Sequence, residues 1–378
     1  MYNIGEVNKR FLVGKTVLVR VDWNVPLENF MDHPRIYSSF ETIDYLLSSG
    51  SKVIIMTHRG RPNGVEVEEL STRAVLPYII ERYPDIEFLE YGSAVKRIAL
   101  LENLRFSEGE ESNDTAFARG LAKMADMYVN DAFSVSHREH ASICAITEYL
   151  PSMCGLEFMR EVRSIYDFLH GQYHTKMCII GGNKLSSKMY LIKKLMVTMD
   201  KMVLGGAMII PFLKDTAIAN DEVSEIIACS KQYNCELIFP EDFIALLNDV
   251  DLTCMNVEHI LDIGLESTQT IIDHMQTADA LLWNGPLGKF EVAPFSHSTR
   301  AIVREISALT KAGRLKSLVG GGNTVVAFNE YDGEATYLSN SGGAFLEFIE
   351  QETLPGIVAL KRGVVPLCQY EQPCGMVM

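Results

Sequence analysis

The strongest constraint on the fold of this chain is a repeated order of segments along its 378 residues. A short apolar run is followed by a polar or glycine-rich turn and then by a stretch suited to a helix. The runs fall at residues 16–21, 52–56, 98–101, 127–129, 177–180, 201–204, 236–239, 280–283, 317–319 and 337–338. Strands that alternate with helices in this way predict an α/β fold with parallel, doubly wound sheets. Ligands of such sheets bind at the carboxyl ends of the strands.

Length and composition limit the kind of protein further. The length suggests about two domains, each with its own core. A formal net charge of −15 argues against a broad nucleic-acid surface, although local clusters of basic residues can still bind an anionic metabolite. The eight cysteines form no C-x-x-C pair, and no apolar run suits a signal peptide or a membrane span. We therefore expect a cytosolic protein with reduced thiols.

In the first half of the chain, basic and polar side chains gather at or near the ends of the predicted strands. They are Asp22, Asn24, Arg35, His58, Arg61, Arg105 and Arg138. A single arginine of this kind is usually part of a surface salt bridge, but several at strand ends are better explained by a ligand. Converging guanidinium groups suit a small phosphorylated carboxylate, because each planar fork binds two oxygens at once.

In the second half, the strand ends carry glycine. Glycine-rich turns follow the strands at 181–184, 205–208, 284–288, 320–324 and 340–344. Such turns let backbone N–H groups close around an anion at a helix N-terminus, but tight turns without a ligand also use glycine. The simplest interpretation is a phosphorylated acid bound by one domain and a nucleotide bound by the other. No P-loop spacing, metal-spaced cluster or nucleophile elbow competes with it.

Six segments, in order, resemble the phosphoglycerate kinase family. They are 19–26 (VRVDWNVP), 60–62 (GRP), 102–106 (ENLRF), 129–133 (VNDAF), 283–286 (WNGP) and 354–356 (LPG). The resemblance implies reversible phosphoryl transfer between 1,3-bisphosphoglycerate and Mg-ADP, giving 3-phosphoglycerate and Mg-ATP, in glycolysis and gluconeogenesis. It also implies a monomer that binds only these small molecules, with neither a nucleic-acid nor a membrane partner.

The fold implied by the resemblance consists of two Rossmann-like domains. Residues 1–155 would form a phosphoglycerate-binding domain, to which a tail at about 360–378 returns. Residues 156–172 would form a hinge helix, and residues 173–359 a nucleotide-binding domain.

The resemblance assigns roles to individual residues. The seven first-half residues named above would bind phosphoglycerate. Nucleotide binding falls to Lys184, Lys188, Gly205, Gly206, Asn284, Pro286, Glu291, Gly320, Gly321, Gly322 and Thr324, and catalysis to Arg35, Lys184, Gly321 and Gly343. The transfer needs no covalent intermediate, since the acceptor is already an anionic oxygen. Arg35 and Lys184 would stabilise charge on the moving group once the domains close.

The chain departs from the family pattern in its second half. Asn323 stands where the family has an aspartate that reaches the magnesium of the nucleotide, and an amide oxygen brings no negative charge to the metal. Other departures are Ser187 for an acid, Ala207 for a glycine, Leu265 for a proline, Lys289 for a small apolar residue, Ser341 for a glycine and Phe345 for a hydroxyl residue.

Three interpretations remain at this point. The first, which we favour, is a working but divergent phosphoglycerate kinase. The second is a degenerate member that binds phosphoglycerate, transfers phosphate poorly and acts through a partner. The third is a purely structural protein, which the presence of Arg35, Lys184 and Lys188 disfavours.

Overall fold

The computed structural model describes residues 1–213, 221–245 and 260–363. These residues divide into two compact units: the first comprises residues 1–163 and the described residues from 353 onward, and the second comprises residues 164–352. Each unit contains a six-stranded sheet in which all strands are parallel. The predicted α/β fold class is therefore confirmed. Most of the tail predicted at 360–378 lies outside the described residues.

The sheet of the first unit has the strand order β3-β4-β2-β1-β5-β6. Its strands are β1 Thr16–Arg20, β2 Lys52–Met56, β3 Ile86–Leu89, β4 Ile98–Leu101, β5 Met127–Asn130 and β6 Ser152–Cys154. Its helices are α1 Pro34–Ser48, α2 Leu76–Ile79, α3 Glu108–Glu111 and α4 Thr115–Ala122, the first part of α5 Leu156–His170, and α13 Pro355–Arg362.

The register of the central strands decides which residues meet at the edge of this sheet. Val19 of β1 is paired with Ile55 of β2 on one side and with Val129 of β5 on the other. All three side chains are fully buried, as expected for a parallel sheet covered on both faces. The segments that leave β1, β2 and β5 consequently emerge side by side.

The second unit has a sheet with the order β14-β13-β12-β7-β8-β9, and a separate antiparallel pair, β10 with β11. Its strands are β7 Lys176–Ile180, β8 Lys201–Leu204, β9 Glu236–Ile238, β10 Phe243–Ala245, β11 Ile260–Ile263, β12 Ala280–Asn284, β13 Lys316–Gly320 and β14 Tyr337–Ser339. Its helices are α6 Met189–Met196, α7 Ile210–Leu213, α8 Asp221–Tyr233, α9 Leu265–Met275, α10 His297–Lys311, α11 Gly322–Glu330 and α12 Gly343–Gln351.

Strand β12 lies at the centre of this second sheet. Its last residue, Asn284, is paired with Ile180 of β7 and with Gly320 of β13. The turns that follow these three strands therefore meet at one edge, around the side chain of Asn284.

Two details differ from the sequence predictions. The sequence of residues 74–82 has the pattern of a single helix, but the structure has a 3-10 turn there, Thr72–Val75, followed by the short helix α2. Pro77 has no N–H to continue an earlier helical turn, so the α-helix begins at Leu76, next to it. The edge strands β3 and β6 and the β10–β11 pair were not predicted; β3, β6 and β11 each include a polar or acidic residue that interrupts the apolar run.

In the part of the chain that the structure describes, no helix has the length and apolar character needed to cross a membrane.

Candidate active site

Asp22, just beyond β1, is the centre of the polar cluster in the first unit. Its Oδ2 atom accepts a hydrogen bond from Arg35 Nη1 at 3.1 Å and another from the hydroxyl of Ser134. Burial alone would raise the pKa of this carboxyl, but the pKa is lowered, because the basic side chains around it, Arg35 among them, outweigh that effect. Asp22 is therefore an ionised carboxylate that orients Arg35.

His58 leaves β2 beside this carboxylate and is almost fully buried. Its Nδ1 atom lies 3.2 Å from Arg20 Nη2 and 3.9 Å from Asp22 Oδ1. Burial, and then the charge of Arg20, hold the pKa of His58 well below its usual 6.5. The ring is therefore neutral at neutral pH.

Asn24 and Arg105 fix the turn that carries Arg61. The Oδ1 atom of Asn24 accepts from the N–H of Gly60 at 2.8 Å, and Arg105 Nη1 donates to the Gly60 carbonyl at 2.8 Å. The Nη2 atom of Arg105 is buried and has no hydrogen-bond partner in the described part of the chain, which leaves a strong donor for a ligand. Arg61 itself is exposed.

Arg138 joins the same electrostatic cluster. Its Nε atom is hydrogen-bonded to His137 Nε2 at 3.3 Å. The charges of Arg138 and Arg105 both contribute to lowering the pKa of His58. The structure thus places Asp22, Arg35 and His58 in direct contact, with Arg105 and Arg138 near enough to act on them.

Sequence reasoning missed Arg20, the last residue of β1. Its side chain is completely buried and bonds to His58. The sequence did contain a signal for Arg20, since an arginine inside an otherwise apolar buried strand needs polar partners.

In the second unit, the turns after β7, β12 and β13 surround a cavity of about 900 Å³. Nine of the predicted nucleotide or metal residues line it: Lys188, Gly206, Asn284, Pro286, Glu291, Gly321, Gly322, Asn323 and Thr324. Lys289, noted above only as a departure from the family, lines it too, as do the apolar residues Ile260, Leu261 and Leu346. The lining thus combines an apolar part with a glycine-rich, cationic part.

Lys188 is the half-buried cation of this cavity. Its ammonium donates to the Gly181 carbonyl at 2.6 Å and to Asn284 Oδ1 at 2.7 Å, with a longer contact of 3.4 Å to the Asn284 carbonyl. Burial lowers the pKa of Lys188 to about 8. The longest of the three bonds is the one most easily exchanged for a ligand oxygen.

The turn at 320–324 is held rigidly against β12. Asn284 Nδ2 donates to the Gly320 carbonyl at 2.8 Å, and the Thr324 hydroxyl accepts from the Gly285 N–H at 2.7 Å. Gly321 has φ +102, and a Cβ atom there would lie 2.4 Å from Asn284 Nδ2. Only glycine fits this position.

Helix α11 starts at this turn, so its N-terminus faces the cavity. Its first residue, Gly322, lines the cavity, and a Cβ atom added there would meet no atom within 4 Å among the described residues, its own helical turn aside. The unpaired N–H groups of a first helical turn attract phosphate oxygens. A phosphate can therefore approach the backbone between α11 and Lys188.

Four predicted residues do not line the cavity: Lys184, Gly205, Gly320 and Gly343. Lys184 and Gly343 are exposed. A Cβ atom at Gly320 would lie 2.5 Å from the ring of Phe345, which is fully buried. The ring of Phe345 thus packs beneath the turn instead of entering the cavity.

The residues of the cavity do not form a metal site of their own. Across the described ranges, no group of three or more His, Cys, Asp or Glu side chains is placed to hold a metal ion. Glu291 is the one carboxylate among the described lining residues, and Asn323 offers only a neutral amide oxygen. Since Mg²⁺ favours carboxylates and water, these residues fit a protein-held ion poorly.

Comparisons with known proteins agree with this arrangement. The family model described as phosphoglycerate kinase matches residues 7–352. The phosphoglycerate kinase of Bartonella bacilliformis is 39% identical, over 94% of this chain and 97% of that protein. The phosphoglycerate kinase of Wolbachia sp. subsp. Brugia malayi is 35% identical, over 96% of this chain and 99% of that protein.

A solved structure of phosphoglycerate kinase from Coxiella burnetii superposes with a TM-score of 0.84 at 29% identity, covering 95% of this chain and 98% of that one. The fold, the strand-end sites and the full-length similarity together establish that this chain belongs to the phosphoglycerate kinase family.

Proposed function

We propose that this chain is a working phosphoglycerate kinase whose two substrates bind at the two strand-end sites described above. The nucleotide, ADP or ATP, occupies the cavity of the second unit, and 3-phosphoglycerate or 1,3-bisphosphoglycerate occupies the basic cluster of the first. The observation that carries the proposal is the cavity itself, where a half-buried ammonium, Lys188, and the N-terminus of α11 face the same space.

Support for the phosphoglycerate site comes from the polarity of the cluster around Asp22. Arg35, Arg105 and Arg138 supply guanidinium forks, and Arg105 Nη2 has no hydrogen-bond partner among the described residues. A fully buried donor without a partner is costly unless a ligand satisfies it. A phosphate or carboxylate oxygen is the natural partner for such a donor.

The proposed transfer relies on positioning and charge stabilisation. The carboxylate of 3-phosphoglycerate is already an anion, so no base has to remove a proton. Arg35 is the proposed stabiliser of the transferred group on the acid side, and Lys188 holds nucleotide phosphate. Lys184, Gly321 and Gly343 keep their proposed catalytic roles, although the structure leaves Lys184 and Gly343 outside the lining of the cavity.

Magnesium enters this proposal with the nucleotide. Asn323 is the one predicted metal residue, and we propose that its amide oxygen contacts the nucleotide or its ion without supplying charge.

The remaining proposals concern organisation. Helix α5 runs from residues of the first unit into residues of the second, which supports a hinge at 156–172. We further propose a monomer in the cytoplasm, with no nucleic-acid or membrane partner; the formal net charge of −15 supports the absence of nucleic acid.

A coupled assay with Mg-ATP and 3-phosphoglycerate tests the proposed activity. We expect turnover to vanish in Lys188→Met and to persist in Lys193→Met. Lys193 serves as the control, because its exposed ammonium pairs with Glu225 at 2.6 Å. If turnover does not exceed background at saturating nucleotide, the proposed kinase activity is rejected.

The second candidate is a phosphoglycerate-binding member with weak transfer. The neutral Asn323 at the phosphate turn is the observation that favours it. This candidate predicts that calorimetry detects binding of 3-phosphoglycerate while the coupled assay detects no turnover.

A further inference from the structure

We propose that Arg20 is a positioning residue of the phosphoglycerate site, which holds His58 as a neutral ring with its proton on Nε2. The ring then presents a fixed hydrogen-bond donor to an acceptor oxygen of the substrate. This proposal rests on the proposed function for the identity of the substrate, but not for the state of the ring.

The argument begins with the three contacts of the Arg20 guanidinium. Nε donates to the hydroxyl of Ser142 at 3.0 Å, Nη1 to the carbonyl of Val21, and Nη2 reaches His58 Nδ1 at 3.2 Å. A guanidinium has no acceptor atom and stays protonated in proteins. His58 Nδ1 must therefore be the acceptor, so the proton of the neutral ring lies on Nε2.

Glu110 compensates the charge of the buried arginine from the opposite side. The hydroxyl of Ser142 donates to Glu110 Oε1 at 2.6 Å, and the Ser142 N–H donates to Oε2 at 3.0 Å. Burial would raise the pKa of Glu110, yet the pKa is lowered, because His140, Arg20 and Ser142 outweigh burial. The hydroxyl thus links an ionised carboxylate to Arg20, and every bond in this chain has a defined direction.

Asp22 competes with Arg20 for the same nitrogen. Its Oδ1 atom lies 3.9 Å from His58 Nδ1, beyond hydrogen-bonding distance but close enough to attract a proton. Without Arg20, a carboxylate beside Nδ1 would favour a protonated Nδ1, as in other His–carboxylate pairs. Arg20 therefore decides which of two tautomers the ring adopts.

The other charges around the ring favour the neutral form. The charged groups that act on His58 are Arg20 and Asp22 from the end of β1, Arg105 from the segment after β4, and Arg138 from the segment after β5. Three cations face one anion, and the ring is buried, so adding a proton to it is unfavourable. A neutral donor keeps its hydrogen bond over a range of pH in which an exposed histidine would change charge.

The test is nitrogen NMR of the full chain with ¹⁵N-labelled histidine. The His58 signals, assigned by their loss in His58→Gln, should report unprotonated Nδ1 and protonated Nε2 from pH 5.5 to pH 8. A protonated Nδ1, or titration of the ring with a pKa near 6.5, would overturn the proposal. This measurement needs no arginine variant and no activity.

A paired variant tests whether Arg20 is the cause. The double variant Arg20→Met, Glu110→Gln removes both buried charges together. Removing only one of them would leave the other charge buried without compensation. We expect its His58 ring to shift to the Nδ1–H tautomer or to titrate. Arg97→Met, at an exposed pair with Asp85, is the matched control and should leave the signals unchanged.

The kinetic consequence separates positioning from structure. In the paired variant, KM for 3-phosphoglycerate should rise by about tenfold and become pH-dependent, with kcat changed less. Unchanged ring signals in a folded paired variant would refute the role of Arg20. If the wild-type ring behaves as stated but the chain neither binds nor turns over 3-phosphoglycerate, the proposed function fails while the state of the ring stands. If the paired variant does not fold, Arg20→Lys replaces it, because lysine retains the positive charge but lacks the planar guanidinium. The His58 signals are then measured in the same way.

Discussion

The ammonium of Lys188 lies 2.7 Å from Asn284 Oδ1, across 96 positions of the sequence. The same amide donates through Nδ2 to the Gly320 carbonyl at 2.8 Å. The side chain of Asn284 thus connects the half-buried cation after β7 to the glycine turn after β13. The contact joins three separate strand ends at the surface where we propose that the phosphates of the nucleotide bind.

Binding of ADP should take up a proton near pH 8. Lys188, with a pKa of about 8 in the free protein, is partly deprotonated there, and a nearby phosphate raises that pKa. Calorimetry in buffers of different ionisation enthalpy measures the uptake. Lys188→Met should abolish the uptake and weaken binding by about tenfold or more, while Lys193→Met should do neither. An equal uptake in Lys188→Met would contradict the assignment.

Gly322→Ala should fold normally and lose nucleotide affinity. Outside its own helical turn, the added methyl group meets no atom of the described residues within 4 Å, but it enters the space where phosphate would contact the first turn of α11. Gly120→Ala, in α4, also meets nothing within 4 Å and is the matched control. Thermal unfolding and ADP titration are the measurements. Unchanged affinity in Gly322→Ala would place the phosphates elsewhere.

Asn323→Asp should tighten binding of Mg-ADP and increase its advantage over metal-free ADP. The substitution adds a carboxylate beside the phosphate turn, where the described lining otherwise offers an amide. Titrations with Mg²⁺ and with a chelator measure this ratio. Asn329→Asp, at an exposed position later in α11, controls for the added charge. If the affinity ratio of Mg-ADP to metal-free ADP is the same in the two variants, Asn323 is not part of the nucleotide site.

Arg35→Ala should lower kcat far more than it raises KM for 3-phosphoglycerate. Arg35 is held by Asp22 at 3.1 Å, and we propose that it stabilises charge that appears mainly in the transition state. The matched control is Arg97→Ala, which removes an exposed arginine paired at 2.8 Å. A loss confined to KM would assign Arg35 to substrate binding alone.

Stability should depend on pH through Asp131, whose carboxyl is fully buried. Burial raises its pKa to about 7, although the N–H of Phe158 donates to it at 3.0 Å. The folded state keeps the proton longer than the unfolded state, so stability falls as pH rises from about 4 to about 7. Asp131→Asn should reduce the loss between pH 5 and pH 8 by about 3 kcal/mol. Denaturant unfolding at the two pH values checks this, and an undiminished loss in Asp131→Asn would refute it.

The sequence predicted the two parallel sheets because apolar runs and polar turns alternate along the chain. It also predicted that Asp22 and His58 would lie close together, since the carboxyl ends of neighbouring parallel strands meet at one edge. The edge strands β3 and β6 were missed because short strands at an edge carry a weak pattern. These outcomes depend on local patterns, which a sequence displays directly.

Only the tertiary structure decided the contacts between distant segments. In the sequence, Arg20 is only one residue of a predicted buried strand. The structure shows its hydrogen bonds to Ser142, 122 positions away, and to His58. Phe345 reads as an obstacle to the nucleotide until its ring is found buried against Gly320. Periodicity and propensity assign residues to strands and turns, but hydrogen bonds and packing depend on three-dimensional distances. The sequence therefore determined which edges carry the chemistry, and the fold determined which atoms meet there.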